Sequence, residues 1–310
     1  MRIAFFGMGG EYSAEHLRSI VEEHRVVAVI RAAPFPRGSR ARRRVAAAAR
    51  ALRIGTPDVL TAVAREHAIP CWAARSGNDT RIVERLEELE PDLLCIAGYR
   101  WILPPAFLAV PGIGAINSHP SLLPRHRGVL PLFWIYYHDD RETGVTVHWV
   151  DEHADTGDIL LQDAMPLPRG YPVEALNRRN AHEGGVLLRR ALEAVERGTA
   201  PRIPQDHQRA TAAPMIGPGS RMVDFAEWDV ERVWHFLAGL VPRFHEPLLD
   251  DRGKSVEYAS VPGFRRQTVT ERAGTVERTA DGALLHCKDG VVYLSGRVPV
   301  LPDTGPTNHL

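Results

Sequence analysis

The sequence predicts a doubly wound parallel sheet of the Rossmann-like α/β class, followed by a small, OB-like β-barrel. Three observations predict it. Short apolar, strand-like runs alternate with helical patterns through the first half, as βαβ units with right-handed crossovers require. A long helical stretch, Glu174–Arg197, then closes that half. Past a proline-bearing polar stretch come short alternating segments split by Ala280-Asp281-Gly282 and Lys288-Asp289-Gly290, both hairpin signals. The expected division is residues 1–203 for the α/β domain, 204–222 for a linker and 223–310 for the barrel.

Each element has its own reason. Ile3–Phe6 is a short apolar strand that runs into a glycine turn and a helix around Ser13–Glu23. Arg25–Ile30 is valine-rich and reads as the second strand. Thr56–Glu66 is helical, with Thr56 as N-cap, Pro57 at the first helical position and Asp58 in the first turn. Asn78–Glu90 carries leucines at helical spacing, capped by Asn78 or Thr80. Leu93–Ala97 is continuously apolar, as a strand buried on both faces should be, and Gly114–Asn117 is a short strand. Gly144–Val150 alternates as a further strand. Pro201, Pro204, Pro214 and Pro218 mark the linker. A helix at Val230–Leu240 precedes the segments Ser255–Ser260, Gly274–Arg278, Ala283–Lys288 and Val291–Leu294.

Composition narrows the function classes. With 310 residues, 44% hydrophobic and 25% charged, the chain is an ordinary globular one with room for two domains. The net charge is zero, so nothing global calls for a nucleic-acid or membrane partner. Cys71, Cys95 and Cys287 lack CxxC or metal-like spacing, and an odd count argues against a disulfide framework. No segment approaches eighteen consecutive apolar residues, and the N-terminal run is too short for a secretory signal. The expectation is a soluble, reduced, cytoplasmic protein without a metal. Phe6-Gly7-Met8-Gly9-Gly10 follows the first strand but lacks G-x-G-x-x-G, and no acidic residue follows the second strand, so nicotinamide binding is not expected.

The chemistry concentrates in Ile116-Asn117-Ser118-His119-Pro120 and in Asp155. Residues two apart on a strand share a face, so Asn117 and His119 project together. Pro120 ends the strand because proline has no N–H for the ladder. A carboxamide, an imidazole and a carboxylate suit acyl transfer to an amine. The carboxamide donates to a developing oxyanion, the imidazole moves a proton near neutral pH, and the carboxylate orients it. Taken singly, each group has a plainer reading: Asn-x-His as a turn, Asp-Thr-Gly-Asp as a helix cap, His148 as a buried histidine bonded to backbone, and Trp101, Ile102 and Leu103 as core. Ser121-Leu122-Leu123-Pro124 reads as packing for the turn that holds the pair.

The ordered set Asn117-x-His119-Pro-Ser-Leu-Leu-Pro, Arg127-Gly128, Glu142-Thr143-Gly144-Val145-Thr146 and Asp155-Thr156-Gly157-Asp158-Ile159 resembles the folate-dependent formyltransferases. These include glycinamide ribonucleotide, methionyl-tRNA, amino-sugar and hydroxyornithine formyltransferases, with formyltetrahydrofolate hydrolase as a relative. The resemblance covers residues 1–200 firmly. Met222-Val223-Asp224-Phe225 and Ala273-Gly274-Thr275-Val276 are similar, more weakly, to the C-terminal barrel of the tRNA enzyme. It implies 10-formyltetrahydrofolate as formyl donor and Asn117, His119 and Asp155 as catalytic residues. It further implies a pterin between Tyr99, Trp101, Ile102 and Leu103 on one side and Asp151, Glu152, His153 and Ala154 on the other. Met8, Gly9, Arg127, Gly128 and His148 are candidates for the acceptor side.

Two features bear on the acceptor. Pro34–Arg53 carries seven arginines, which reads either as a solvated loop or as phosphate contacts to tRNA. Against tRNA, the barrel region lacks a basic stripe with stacking aromatics. His148 and Phe133-Trp134 resemble the small-acceptor branch. The expected acceptor is therefore a small-molecule amine (an amino sugar, an amino acid or a natural-product intermediate), with methionyl-tRNA as the alternative and hydrolysis to formate as a third reading.

Overall fold

The computed structural model describes residues 1–33 and 58–296, which form two compact units. The first comprises Met1–Pro168 and Glu174–Ile216, and the second Arg169–Val173 and Gly217 onward. The arginine-rich Pro34–Arg53 segment lies outside the described residues. None of the described helices is long and apolar enough to cross a membrane.

The first unit runs β1 (Arg2–Gly7), α1 (Glu11–Arg18), β2 (Arg25–Ala32), α2 (Val59–Glu66), β3 (Cys71–Ala74), α3 (Thr80–Leu89), β4 (Leu93–Ala97), α4 (Pro105–Leu108), β5 (Gly114–His119), α5 (Pro131–Tyr137), β6 (Glu142–Trp149), β7 (Ile159–Pro166) and α6 (Val173–Glu196), whose first residue falls in the second unit. The sheet order is β3-β2-β1-β4-β5-β6-β7. Its first five strands are parallel, whereas β6 and β7 run antiparallel to their neighbours. The sheet is thus mostly parallel, as expected, with two antiparallel strands added at one edge. The 150–158 connection is too short for the crossover that parallel neighbours need, so β7 returns alongside β6.

Period-two alternation builds the core on both sheet faces. Ile3 and Phe5 join one apolar cluster, with Leu17, Cys95, Ile116, Val147 and Leu188. Ala4 and Phe6 join the other, with Ile30, Leu94, Ile96 and Phe107. Each fully buried Phe or Leu contributes about 1.5–3 kcal/mol. β4 is buried throughout, as its unbroken apolar run requires.

Several boundaries differ from expectation. α1 begins at Glu11 and ends at Arg18, after which residues 19–23 continue only as turns. Asp58 is the N-cap of α2, its carboxylate accepting from Thr61 N at 3.0 Å, while Thr56 and Pro57 lie outside the described residues. Asp79, not Asn78 or Thr80, precedes α3, and its carboxylate binds Arg75 N and Arg81 instead of the helix. β3, α4, α5 and β7 were not expected. They are short, or begin at a proline, or sit at the sheet edge with an irregular burial pattern. Residues 204–216, read as linker from their prolines, belong to the first unit. They are tied there by Arg127 N donating to Thr211 O and Ala213 N to Arg127 O.

In the second unit, α7 (Val230–Leu240) is capped by Asp229, which accepts from Arg232 N at 2.8 Å. β10 (Ser260–Arg266), β11 (Val276–Thr279), β12 (Gly282–Cys287) and β13 (Gly290–Ser295) form an antiparallel sheet in the order β10-β13-β12-β11. β8 (Leu248–Leu249) and β9 (Ser255–Val256) pair separately, and the whole accords with a small barrel. The expected Ser255–Ser260 strand therefore splits, its last residue opening β10. The described cysteines are free.

Candidate active site

β5 ends at His119, and its antiparallel register with β6 sets Asn117 opposite His148 and His119 opposite Thr146. Directly opposed residues share a face. Ser118 points the other way, and its hydroxyl bonds to His16 Nε2 at 2.8 Å. Burial pushes the His16 imidazole down to about 4, so it stays neutral and holds the strand end from behind. Ser13 ties the same edge, its hydroxyl donating to Ala97 O at 2.7 Å and accepting from Met8 N at 2.9 Å.

Asn117, His119 and Asp155 converge. Asn117 Nδ2 lies 3.3 Å from Asp155 Oδ1, and His119 Nδ1 lies 3.5 Å from Asp155 Oδ2. His148 completes the group, its Nε2 3.0 Å from Asn117 Nδ2 and 3.4 Å from Asp155 Oδ1. His119 and His148 are almost wholly buried.

Hydrogen-bond chemistry fixes the tautomers. A carbonyl only accepts, so His119 Nε2, 2.9 Å from His126 O, carries a hydrogen. In the neutral ring Nδ1 is then the free base, and it faces Asp155. His148 Nδ1 likewise donates to Trp149 O at 2.7 Å, which leaves Nε2 to accept from the Asn117 amide. That bond sets which way the carboxamide points.

Burial is the largest influence on His119 and lowers its pKa, with Asp155 and the His126 carbonyl offsetting only part. The ring is neutral near pH 7. Burial alone would raise the Asp155 carboxyl. His119, His148 and the Gly128 N–H outweigh it and hold the group well below the usual carboxylate range.

Asp155 sits at φ +54°, an uncommon backbone for a non-glycine residue, and the loop over-determines it. Gly128 N donates to Asp155 Oδ2 at 2.8 Å. At φ +119°, a Cβ on Gly128 would also press on Ala213 O at 2.9 Å. A Cβ on Gly157 would collide with Trp149 O at 1.9 Å, so both positions require glycine. Gln205 Nε2 reaches Asp155 O at 3.0 Å and Gly157 O at 2.7 Å, while its Oε1 accepts from Arg127 at 2.6 and 3.1 Å. Nothing in sequence pattern flagged Gln205, because its partners, two backbone carbonyls and the Arg127 side chain, lie some fifty to eighty residues away.

The other expected residues separate. Arg127 is engaged with Gln205 and, at 3.2 Å, His207. Gly9 O accepts from Val59 N, and the residue lies against Asp58. Met8 follows the Gly7–Ala97–Ser118 row at the carboxyl edge of the parallel strands, where open α/β sheets place ligands. Leu103 is core, Tyr99 and Trp101 pack partly buried against it, and Ile102 is 55% exposed. Arg100 lies over the Trp101 ring at 4.3 Å. Asp151 accepts from His153 N at 2.9 Å and Thr156 Oγ1 at 2.6 Å, which shapes a loop whose Glu152, His153 and Ala154 are exposed. A cavity of about 530 Å³ is lined by Trp149, Asp151, His153, Arg202 and His207, among others. The three converging side chains do not line it.

Comparison with known proteins bears on the family and the fold. Residues 1–192 match the family model described as formyl transferase. The chain is 35% identical over 221 residues to a methionyl-tRNA formyltransferase of Syntrophus aciditrophicus, covering 71% of this chain and 70% of that one. It is 32% identical over 299 residues to the Desulforamulus reducens enzyme of the same name, covering 95% and 89%. Among solved structures, WlaRD, a sugar 3N-formyl transferase, superposes with a TM-score of 0.66 at 14% identity, covering 95% of this chain and 97% of that one. An N-formyltransferase from Helicobacter canadensis, in complex with folinic acid and dTDP-3-aminofucose, gives 0.66 at 16%, covering 95% and 99%. At such identities the superpositions establish the fold.

Proposed function

The chain belongs to the formyl transferase family, and from that premise we propose that it transfers the formyl group of 10-formyltetrahydrofolate to the amine of a small-molecule acceptor. The observation that carries the reading is the convergence of Asn117, His119 and Asp155 at the end of β5.

The residues fit a folate donor. Ile102 and residues 152–154 are exposed and not committed to packing, which leaves them available to a flat ring. When bound, the folate supplies an electrophilic formyl carbon and a nitrogen leaving group. Asn117 then donates to the formyl oxygen, where charge develops as the amine attacks. The hydrogen now directed at Asp155 across 3.3 Å is the weaker of its two bonds and the one exchanged. His119 takes the proton that the attacking amine must lose, at Nδ1. The resulting imidazolium sits 3.5 Å from the Asp155 carboxylate, which stabilises it. That gap is too narrow for a water between them, so Asp155 acts by orienting and stabilising the imidazolium, whose Nδ1 hydrogen is the one available to the leaving nitrogen.

Charge supports a small acceptor. Residues 217–310 carry eleven Lys and Arg against thirteen Asp and Glu, where a phosphate-binding module needs a basic surplus. Arg266 is engaged with Asp229, Glu231 and Asp289, and Arg278 with Asp250. The second reading, methionyl-tRNA formylation, is favoured by relatives of that name aligned over most of the chain.

One assay separates the readings. Tetrahydrofolate release is followed with nucleotide-linked amino sugars, hydroxyornithine-like amines and charged initiator tRNA as acceptors. Release driven by a small amine supports the proposal. Release that needs tRNA and falls steeply with salt replaces it with the second reading. Formate release without any amine makes the protein a hydrolase.

A further inference from the structure

The His119 tautomer depends on a carbonyl, and that carbonyl belongs to a residue with unusual restraints. His126 has φ +61°, a left-handed backbone that a side chain bearing Cβ rarely adopts. Its ring is 2% exposed. Ring Nε2 lies 2.7 Å from Asp140 Oδ2, and the other Asp140 oxygen accepts from Arg125. His126 N donates to Thr211 Oγ1 at 2.8 Å, and Arg125 O accepts from the Ser121 hydroxyl at 2.8 Å. The remaining ring nitrogen, Nδ1, is buried and has no hydrogen-bond partner among the described residues, so the bond to Asp140 is the directed interaction that orients this ring. Asp140 is itself buried, and although burial would raise its carboxyl, His126 and Arg125 keep it ionised and accepting.

We propose that Asp140 and His126 are positioning residues for His119. Asp140 holds the His126 ring, the ring keeps the backbone left-handed, and the backbone aims its carbonyl at His119 Nε2. His119 is thereby kept with hydrogen on Nε2 and the free base on Nδ1, the nitrogen facing Asp155. Without the anchor, His126 would relax toward negative φ and swing its carbonyl away. His119 could then place its hydrogen on Nδ1, pointed at Asp155, where it would serve as a donor and not a base.

The proposal rests on the formyl-transfer reading for its purpose but not for its test, which needs no substrate. In the ¹⁵N-histidine-labelled full chain near pH 7, NMR should give His119 an unprotonated-type Nδ1 and a protonated-type Nε2, assigned by their loss in His119→Gln. Asp140→Asn and His126→Leu should shift His119 toward the other tautomer, and His126→Gln, which keeps a donor for Asp140, should restore part of the original pattern. If transfer activity is present, the first two variants should lower kcat at least about tenfold with little change in KM, in keeping with partial loss of a general base. A wild-type His119 bearing its hydrogen on Nδ1 overturns the proposal, whether or not any variant folds. An unchanged tautomer in folded Asp140→Asn and His126→Leu does the same. Absence of formyl transfer with the expected tautomer shifts would instead sink the functional reading alone.

Discussion

The two units use buried polar groups in different ways. At the end of β5, Asn117, His119, His148 and Asp155 contact one another as well as the His126, Trp149 and Gly128 backbone, and these restraints hold a neutral imidazole beside an anion. In the second unit, buried Glu246 fastens the chain: both carboxylate oxygens accept from Met222 N, at 3.0 and 3.1 Å. Exposed Arg266 meanwhile pairs with three carboxylates. Ionisable side chains face one another in the first unit and fasten backbone or pair at the surface in the second. The contrast teaches that a polar group's partners say more than its burial: the side chains at the end of β5 meet one another as well as backbone, whereas the Glu246 carboxylate is held by backbone N–H.

If the contrast holds, substitutions among the converging side chains at the end of β5 should change rates, and those at side chains that fasten backbone, such as Gln205 and Glu246, should change stability. The largest effect is expected for His119→Ala, which should lower kcat about 10²–10⁴-fold with the folded fraction unchanged by circular dichroism. Near-wild-type turnover would erase the distinction. Asn117→Ala should follow, costing about 10²–10³ in kcat, measured as tetrahydrofolate release under saturating donor. Asp155→Asn sharpens the comparison through pH. His119 already titrates below its ordinary value, so the acid limb of kcat/KM lies below about pH 6.5. Asp155 favours the charged ring, and removing that charge should carry the limb to still lower pH as the rate falls; an unmoved limb would uncouple the two residues. Gln205→Ala should loosen residues 155–157, costing about 1–3 kcal/mol of stability in denaturant titration.

The smallest effect belongs to Glu246. Burial raises its carboxyl to about 7, above its unfolded value, so the folded state retains a proton that the unfolded state has lost. Its contribution to stability is therefore full below the unfolded value and is lost as pH rises toward 7. Glu246→Gln should flatten this dependence, with a melting temperature above wild type at pH 8 and a difference that closes by pH 5. An equal offset at both pH values would show that the group does not titrate in that range.

Much of this was readable along the chain. Leu93–Ala97 and Val230–Leu240 match their expected spans because each carries a signal internal to itself, an unbroken apolar run in one and an Asp229 cap with helical periodicity in the other. Asn117 and His119 were legible for a similarly local reason, since a shared strand face follows from period two. The antiparallel turn of β7, the Asp79 carboxylate turned to Arg75 and Arg81, and the attachment of residues 204–216 were not. The attachment depends on a partner distant in sequence and β7 on whether a short loop leaves room for a crossover, while Asp79 chooses among partners two to four residues away that the local pattern leaves equivalent.

By itself, the sequence determined which chemical groups are present and which share a strand face, because backbone geometry enforces those over a few residues. Only the tertiary structure decided that His148 lies against Asn117, that Gln205 holds the Asp155 loop, and that the His126 carbonyl takes the His119 hydrogen. Those relations span 31, 50 and 7 residues of chain and are settled by strand register, loop packing and one left-handed backbone, none of which a local pattern encodes.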